Sequence, residues 1–192
     1  MHGWVKDIPQ TLVYEMVEGQ PIFYRGYRDY LDGNKDIEEI MGSSYLQSLI
    51  VTQIVILLSQ LLDATKYQIL SNEVGLKFSE KSWRAADIAI FDKKQMARIP
   101  KENKYLEKPP RIVIEIDTKA HIEEIQNPLG YYQEKTDQLL AFGVERVIWI
   151  FTDTQKVMLA TQNEDWQISN GTKNVAVMDG IKINIAQIIR NI

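Results

Sequence analysis

Glu115 and Asp117 interrupt an otherwise apolar run, Arg111-Ile-Val-Ile-Glu-Ile-Asp-Thr-Lys119. Ile112, Val113, Ile114 and Ile116 mark a strand buried on both faces. Strand side chains alternate, so residues 115, 117 and 119 are expected on one face. Packing has no use for two carboxylates and an ammonium at the end of a core strand, because unpaired ions in an apolar setting are costly or change protonation state. A bound divalent cation would compensate them. The alternative is a strand that frays at Asp117 and leaves its charges in water. Asp87 poses the same question inside Ala85-Ala-Asp-Ile-Ala-Ile-Phe91. Strand interiors disfavour Asp, so it is either a ligand or a carboxylate at a wet strand end. Glu73, in Ser71-Asn-Glu-Val-Gly75, lies beside a turn and is a weaker candidate.

Lys135 belongs to a predicted helix over 128–142. Tyr131, Tyr132, Gln138, Leu139 and Phe142 fall within about 60° of it on the helical projection. It therefore sits in the middle of the apolar face, where it either snorkels past the aromatics or reaches an acidic partner. If that helix packs beside the central strand, Glu115 and Asp117 are within its reach. Three carboxylates and a lysine around a divalent cation suit phosphodiester hydrolysis. The metal polarises phosphate and lowers the pKa of its water. The lysine orients that water or stabilises charge on phosphate oxygens.

Composition narrows the metal. The chain has no cysteine, and His2 and His121 are its only histidines. Oxygen ligands then favour magnesium or manganese over zinc. A formal charge of −4 on 192 residues gives no global attraction to nucleic acid. That argues against a non-specific DNA coat, but a nuclease site must itself be acidic.

The elements that position these groups read as follows. Residues 1–11 form a lead-in, and 12–192 a single domain. Strands over 12–18 and 21–27 make an N-terminal hairpin around Gly19-Gln20, and a polar turn covers 29–39. An uncharged helix runs from Ser43 or Ser44 to Leu62. Its apolar cover goes nearly all round, which suggests a homodimer through residues 44–62. Its scattered Ser, Thr and Gln make a core or interface helix the better reading than a membrane span. Strands follow near 67–70, 74–78 and 84–91, then a Lys-, Glu- and Pro-rich loop over 92–110. After the central strand, Asn127-Pro128 opens the lysine-bearing helix, which ends near Gly143. Strands at 146–151 and 156–160, weaker ones near Trp166 and Val175, and a short helix over 184–192 complete an α/β (α+β) domain. The N-terminus has no signal-peptide pattern, so a cytoplasmic location is expected.

An Asp opening one strand followed by an apolar strand bearing Glu resembles the signature of the PD-(D/E)XK nuclease superfamily. More closely, the chain resembles the Uma-type restriction endonuclease family. The matching pieces are Tyr14-Glu-Met-Val-Glu-Gly19, Arg84-Ala-Ala-Asp-Ile-Ala-Ile90, Pro110-Arg-Ile-Val-Ile-Glu-Ile116, Glu134-Lys135, Gly143-Val-Glu-Arg-Val-Ile-Trp-Ile150 and Gly180-Ile-Lys-Ile183. The resemblance implies a restriction-endonuclease-like mixed sheet flanked by helices and a magnesium-dependent site cutting DNA. Asp87 takes the first acidic position and Glu115 the second. Ala86 replaces the usual proline. The superfamily lysine would fall where Asp117 stands, and in the Uma-type group the following helix supplies it, at Lys135. Asp117 would then be a further metal ligand, with Lys119 as the rival lysine. A nuclease-fold protein that binds DNA or assembles without catalysis is the alternative. Any sequence specificity would lie in the loop over 92–110 or in a partner.

Overall fold

The computed structural model describes residues 8–122, 127–178 and 180–191. Residues 1–7 of the expected lead-in, 123–126 of the stretch before Asn127, and Ile192 at the end of the last helix lie outside the described residues. Glu18 and Gly19, both at positive φ, turn the chain between β1 (Val13–Val17) and β2 (Gln20–Phe23). Such turns match the twist of the strands they join. The second strand stops at Phe23, short of Tyr27, because left-handed Gly26 (φ 82°) opens α1 (Tyr27–Leu31). A reciprocal capping box of Asp36 and Glu39 starts α2 (Ile37–Met41). The turn expected at Asp32-Gly33-Asn34 lies between these two short helices, which the polar stretch around it did not announce. In α3 (Tyr45–Leu61), Ser44 caps the first turn, accepting from Gln47 N at 3.1 Å.

The strands expected at 67–70 and 74–78 are one, β3 (Tyr67–Ser79), bulged at Asn72 and Glu73, which both take positive φ. It pairs along its length with β4 (Ser82–Asp92). α4 (Lys93–Met96) opens the segment leading to Pro110; beyond α4 it is the irregular loop expected, tied to the sheet. Leu106 N donates to Gly75 O and Lys77 N donates to Leu106 O. The Tyr105 ring lies on Gly75, where a Cβ would come within 2.2 Å of it, so only glycine fits that close approach. β5 (Ile112–Ile116) is followed by α5 (Pro128–Phe142), begun by Pro128 and ended by left-handed Gly143. The Asn127 side chain makes no capping hydrogen bond. Then come β6 (Arg146–Phe151), β7 (Lys156–Thr161), β8 (Glu164–Asn170), β9 (Asn174–Met178), β10 (Ile181–Asn184) and α6 (Ile185–Arg190).

The main sheet runs β2-β1-β4-β5-β6-β7-β8, with β3 also on β4. It is mixed. β5 and β6 are parallel, as the α5 crossover requires, and the other pairs are antiparallel. Helices cover both faces, which explains the apolar run of β5. On one face Ile50, Ile54 and Leu58 of α3 pack on Ile88, Ile112, Ile114 and Ile148. On the other, Leu139 and Leu140 of α5 pack on Ala89, Val113, Val147 and Trp149. Among the described residues no helix is long and apolar enough to cross a membrane. On α3, Tyr45, Leu46, Ile56 and Leu61 remain exposed.

Candidate active site

The site lies where two strands separate. β4 and β5 pair from Ile90↔Ile112 to Ile88↔Ile114 and no further. Beyond that point the Asp87 side chain takes over the pairing, its Oδ2 accepting from Ile116 N at 2.7 Å. Asp87 and Glu115 thereby flank one gap in the sheet. Both are buried. Gln47 closes the gap from the α3 side. Its Nε2 donates to Ile116 O at 2.9 Å and lies 3.4 Å from each Asp87 oxygen.

Lys135 enters from the α5 side and is fully buried. Its Nζ donates to Ala85 O at 2.7 Å and stands 2.8 Å from Glu15 Oε1 and 3.1 Å from Glu115 Oε1. The rings of Tyr14 and Trp149 face the same ammonium at 5.7 and 5.4 Å, adding cation–π attraction. Glu15 is a site residue the sequence reading passed over. Its Oε2 accepts from Arg84 Nη1 and from Tyr131 Oη, each at 2.8 Å. It is a fully buried anion shared by two fully buried cations. The signal was present as an acidic residue inside a strand.

Electrostatics sorts these groups. Burial would raise the Glu15 carboxyl, but Lys135 and Arg84 outweigh it and hold it below its ordinary value. Burial works against the Lys135 ammonium, but Glu115, when ionised, and Glu15, held anionic, more than offset this, so it stays protonated. Glu115 is different. Burial, with the charges of Asp87 and Glu15, pushes it up to about 8, and Lys135 offsets only part of that. Asp87 is raised as well, by burial, against the pull of the Ile116 N–H and of Lys135 and Lys119. Two neighbouring carboxyls that resist ionising are what a site short of one positive charge produces.

Asp117 does not join this pair. β5 ends at Ile116, and Asp117 takes left-handed φ (55°), which breaks the alternation expected of it. Its carboxylate accepts from Thr152 N at 2.9 Å and Thr152 Oγ1 at 2.7 Å, bracing the β6–β7 turn. Lys119 and Glu73 form an ion pair with each other, and Tyr24 Oη donates to Glu73 at 3.2 Å. The expected row of residues 115, 117 and 119 on one strand face is therefore replaced by separate contacts. Among the described residues no three His, Asp or Glu side chains converge as a metal cluster. Asp87, Glu115 and the Ile116 carbonyl still suit magnesium or manganese, which use one or two carboxylates and fill the remaining positions with water and phosphate. Glu115 Oε1 is buried and receives no hydrogen bond of good geometry, but the Lys135 ammonium already stands 3.1 Å from it. Beside the gap opens a pocket of ≈ 450 Å³, lined by Gln47, Arg25, Lys119, Asp117, Tyr132 and Thr152 among others.

The family model described as "Uma2: Putative restriction endonuclease" matches residues 28–186. The chain belongs to that family. Among solved structures, a putative nuclease belonging to DUF820 from Anabaena variabilis is similar in fold, with a TM-score of 0.65. It is 16% identical, and the match covers 92% of this chain and 89% of that one. No curated protein matches the chain. Within the Uma2 match lie Asp87, Glu115 and Lys135, together with Gln47. Glu15 precedes residue 28, although it holds the family-range residues Arg84 and Lys135 in place.

Proposed function

We propose that the chain is a DNA endonuclease dependent on Mg2+ or Mn2+, with Asp87, Glu115 and the Ile116 carbonyl as the metal-holding set. One observation supports the reading: the parting of β4 and β5 brings two carboxyls and the Gln47-bonded Ile116 carbonyl to one gap, against a buried ammonium. A divalent ion bound there would act as a Lewis acid on phosphate and ease deprotonation of water. Water oxygen attacks phosphorus and gives up a proton to solvent, the opposite P–O ester bond breaks, and the leaving oxygen takes a proton from solvent.

The chain's own residues divide the remaining work. Lys135 is held protonated, so it does not serve as a base. It supplies fixed positive charge beside the reacting phosphate, in a dry site where such charge is most effective. Glu15 and the Ala85 carbonyl keep that ammonium from swinging away. Asp117 is an outer brace of the gap rather than a ligand. The pocket wall through which a DNA strand would approach carries mixed charge, Arg25, Lys35 and Lys119 among Glu39, Asp117 and Asp153.

Cleavage of supercoiled plasmid in the presence of Mg2+ or Mn2+ tests this. Lys135→Ala is expected to lower the rate about 10²- to 10³-fold, whereas Lys119→Ala is expected to retain most of it. The reverse order would move the catalytic lysine to Lys119. DNA retention without cutting under either metal would leave the chain a binding module on a nuclease fold.

A further inference from the structure

Gln47 is a polar residue on the buried stripe of α3, in register with Ile50, Ile54 and Leu58. Nothing about covering an apolar sheet calls for it. Gln47 lines the pocket, and its carboxamide reaches Asp87 in the gap beside it. Around its Nε2 stand the Ile116 carbonyl at 2.9 Å and both Asp87 oxygens at 3.4 Å. These are hard oxygen acceptors aimed at one donor group. A small divalent cation seeks the same surroundings.

Resting on the nuclease reading, we infer that Gln47 is a switchable ligand of the metal site: in the metal-free chain its Nε2 bonds the oxygens that would hold the cation, and on metal binding its Oε1 turns in to join them as a ligand. The amide has two faces of opposite character, a donor NH2 and an acceptor oxygen. With no cation, only the donor face is tolerated, since Oε1 would meet three acceptor oxygens. With a cation among those oxygens the preference reverses, because the NH2 would be repelled and Oε1 attracted. Half a turn about the terminal torsion exchanges the two, and that torsion is soft and roughly two-fold. The same turn replaces an amide donor beside Asp87 with an amide acceptor. A side chain that merely pins α3 to the sheet would have no such coupling.

Titration of the full-length chain with Mn2+ alone, by calorimetry and by the loss of the free-ion electron paramagnetic resonance signal, separates these roles. Gln47→Leu removes the neutral oxygen and is expected to weaken Mn2+ binding about tenfold or more. Gln47→Glu supplies a permanent oxygen donor with charge and is expected to tighten it by a similar factor, while lowering the Tm of the metal-free chain. The second variant decides the matter if the first does not fold. Unchanged Mn2+ affinity in both, or tighter binding in Gln47→Leu, would overturn the switch and leave the nuclease reading standing. A wild-type chain that binds no Mn2+ would overturn the nuclease reading and this inference with it.

Discussion

Glu115→Gln is expected to abolish metal-dependent cleavage while leaving the metal-free fold nearly as stable as the wild type. The two halves of this result have one cause. Without metal, burial and the charges of Asp87 and Glu15 push Glu115 up to about 8, so near neutral pH it is largely a neutral acid. Glutamine copies that neutral group in size and shape but cannot become an anionic ligand. The loss of activity should exceed the roughly 10- to 100-fold seen when a group one step removed from a metal is changed. The same variant carries a pH signature. A raised carboxyl stabilises the folded chain fully below its unfolded value of 4.5, and that contribution is lost as pH rises through about 8. Metal-free wild type should therefore carry a stability slope of up to about 1.4 kcal/mol per pH unit across this window that Glu115→Gln lacks. Metal competes with the proton, so Mn2+ affinity should climb with pH and level off above the same point. Melting in chelator at several pH values, for both chains, reads the difference. Parallel pH profiles would contradict the assignment.

The second large effect concerns folding. Glu15→Ala strands two fully buried cations, Arg84 and Lys135, with their shared anion gone. Breaking a buried ion pair from one side costs about 3–5 kcal/mol, because the leftover charge keeps its desolvation penalty. Urea unfolding should place Glu15→Ala that far below wild type. Glu15→Gln should cost less, since its amide oxygen still accepts from Arg84 or Tyr131. Adding Lys135→Met to Glu15→Ala should recover part of the loss, as the stranded ammonium is then removed. A cost under about 1 kcal/mol, as for a solvated surface pair, would mean the cluster is wetter than its burial indicates.

The positions proposed for the site differ in how far their sequence context revealed them. Asp87 and Glu115 stood out because each breaks a strand that is otherwise apolar, and β4 and β5 do set them beside one gap. Lys135 stood out because helical geometry put its charge on the apolar face, and it is fully buried there. Asp117 was misplaced because the alternation rule assumes that the strand continues. A left-handed residue ends β5 one position earlier, and nothing in Ile116-Asp117-Thr118 marks that turn as glycine would. Gln47 and Glu15 followed the same logic as Asp87, a polar group on a buried stripe and an acid in a strand. Each looked ordinary on its own, among the scattered polar residues of α3 and the acidic residues of the first hairpin. Only the packing of α3 and β1 against β4 and β5 gives them partners. The bulge joining two expected strands into β3 was hidden for a similar reason, since Asn72 and Glu73 read locally as a turn.

The most direct measurement is the anomalous difference density of crystals grown or soaked with Mn2+. The account expects a peak between β4 and β5, within roughly 2–2.6 Å of an Asp87 oxygen, a Glu115 oxygen and the Ile116 carbonyl oxygen. Saturating Mn2+ with no peak in that gap, or a peak held instead by Asp117 and Asp153 at the pocket wall, would contradict it.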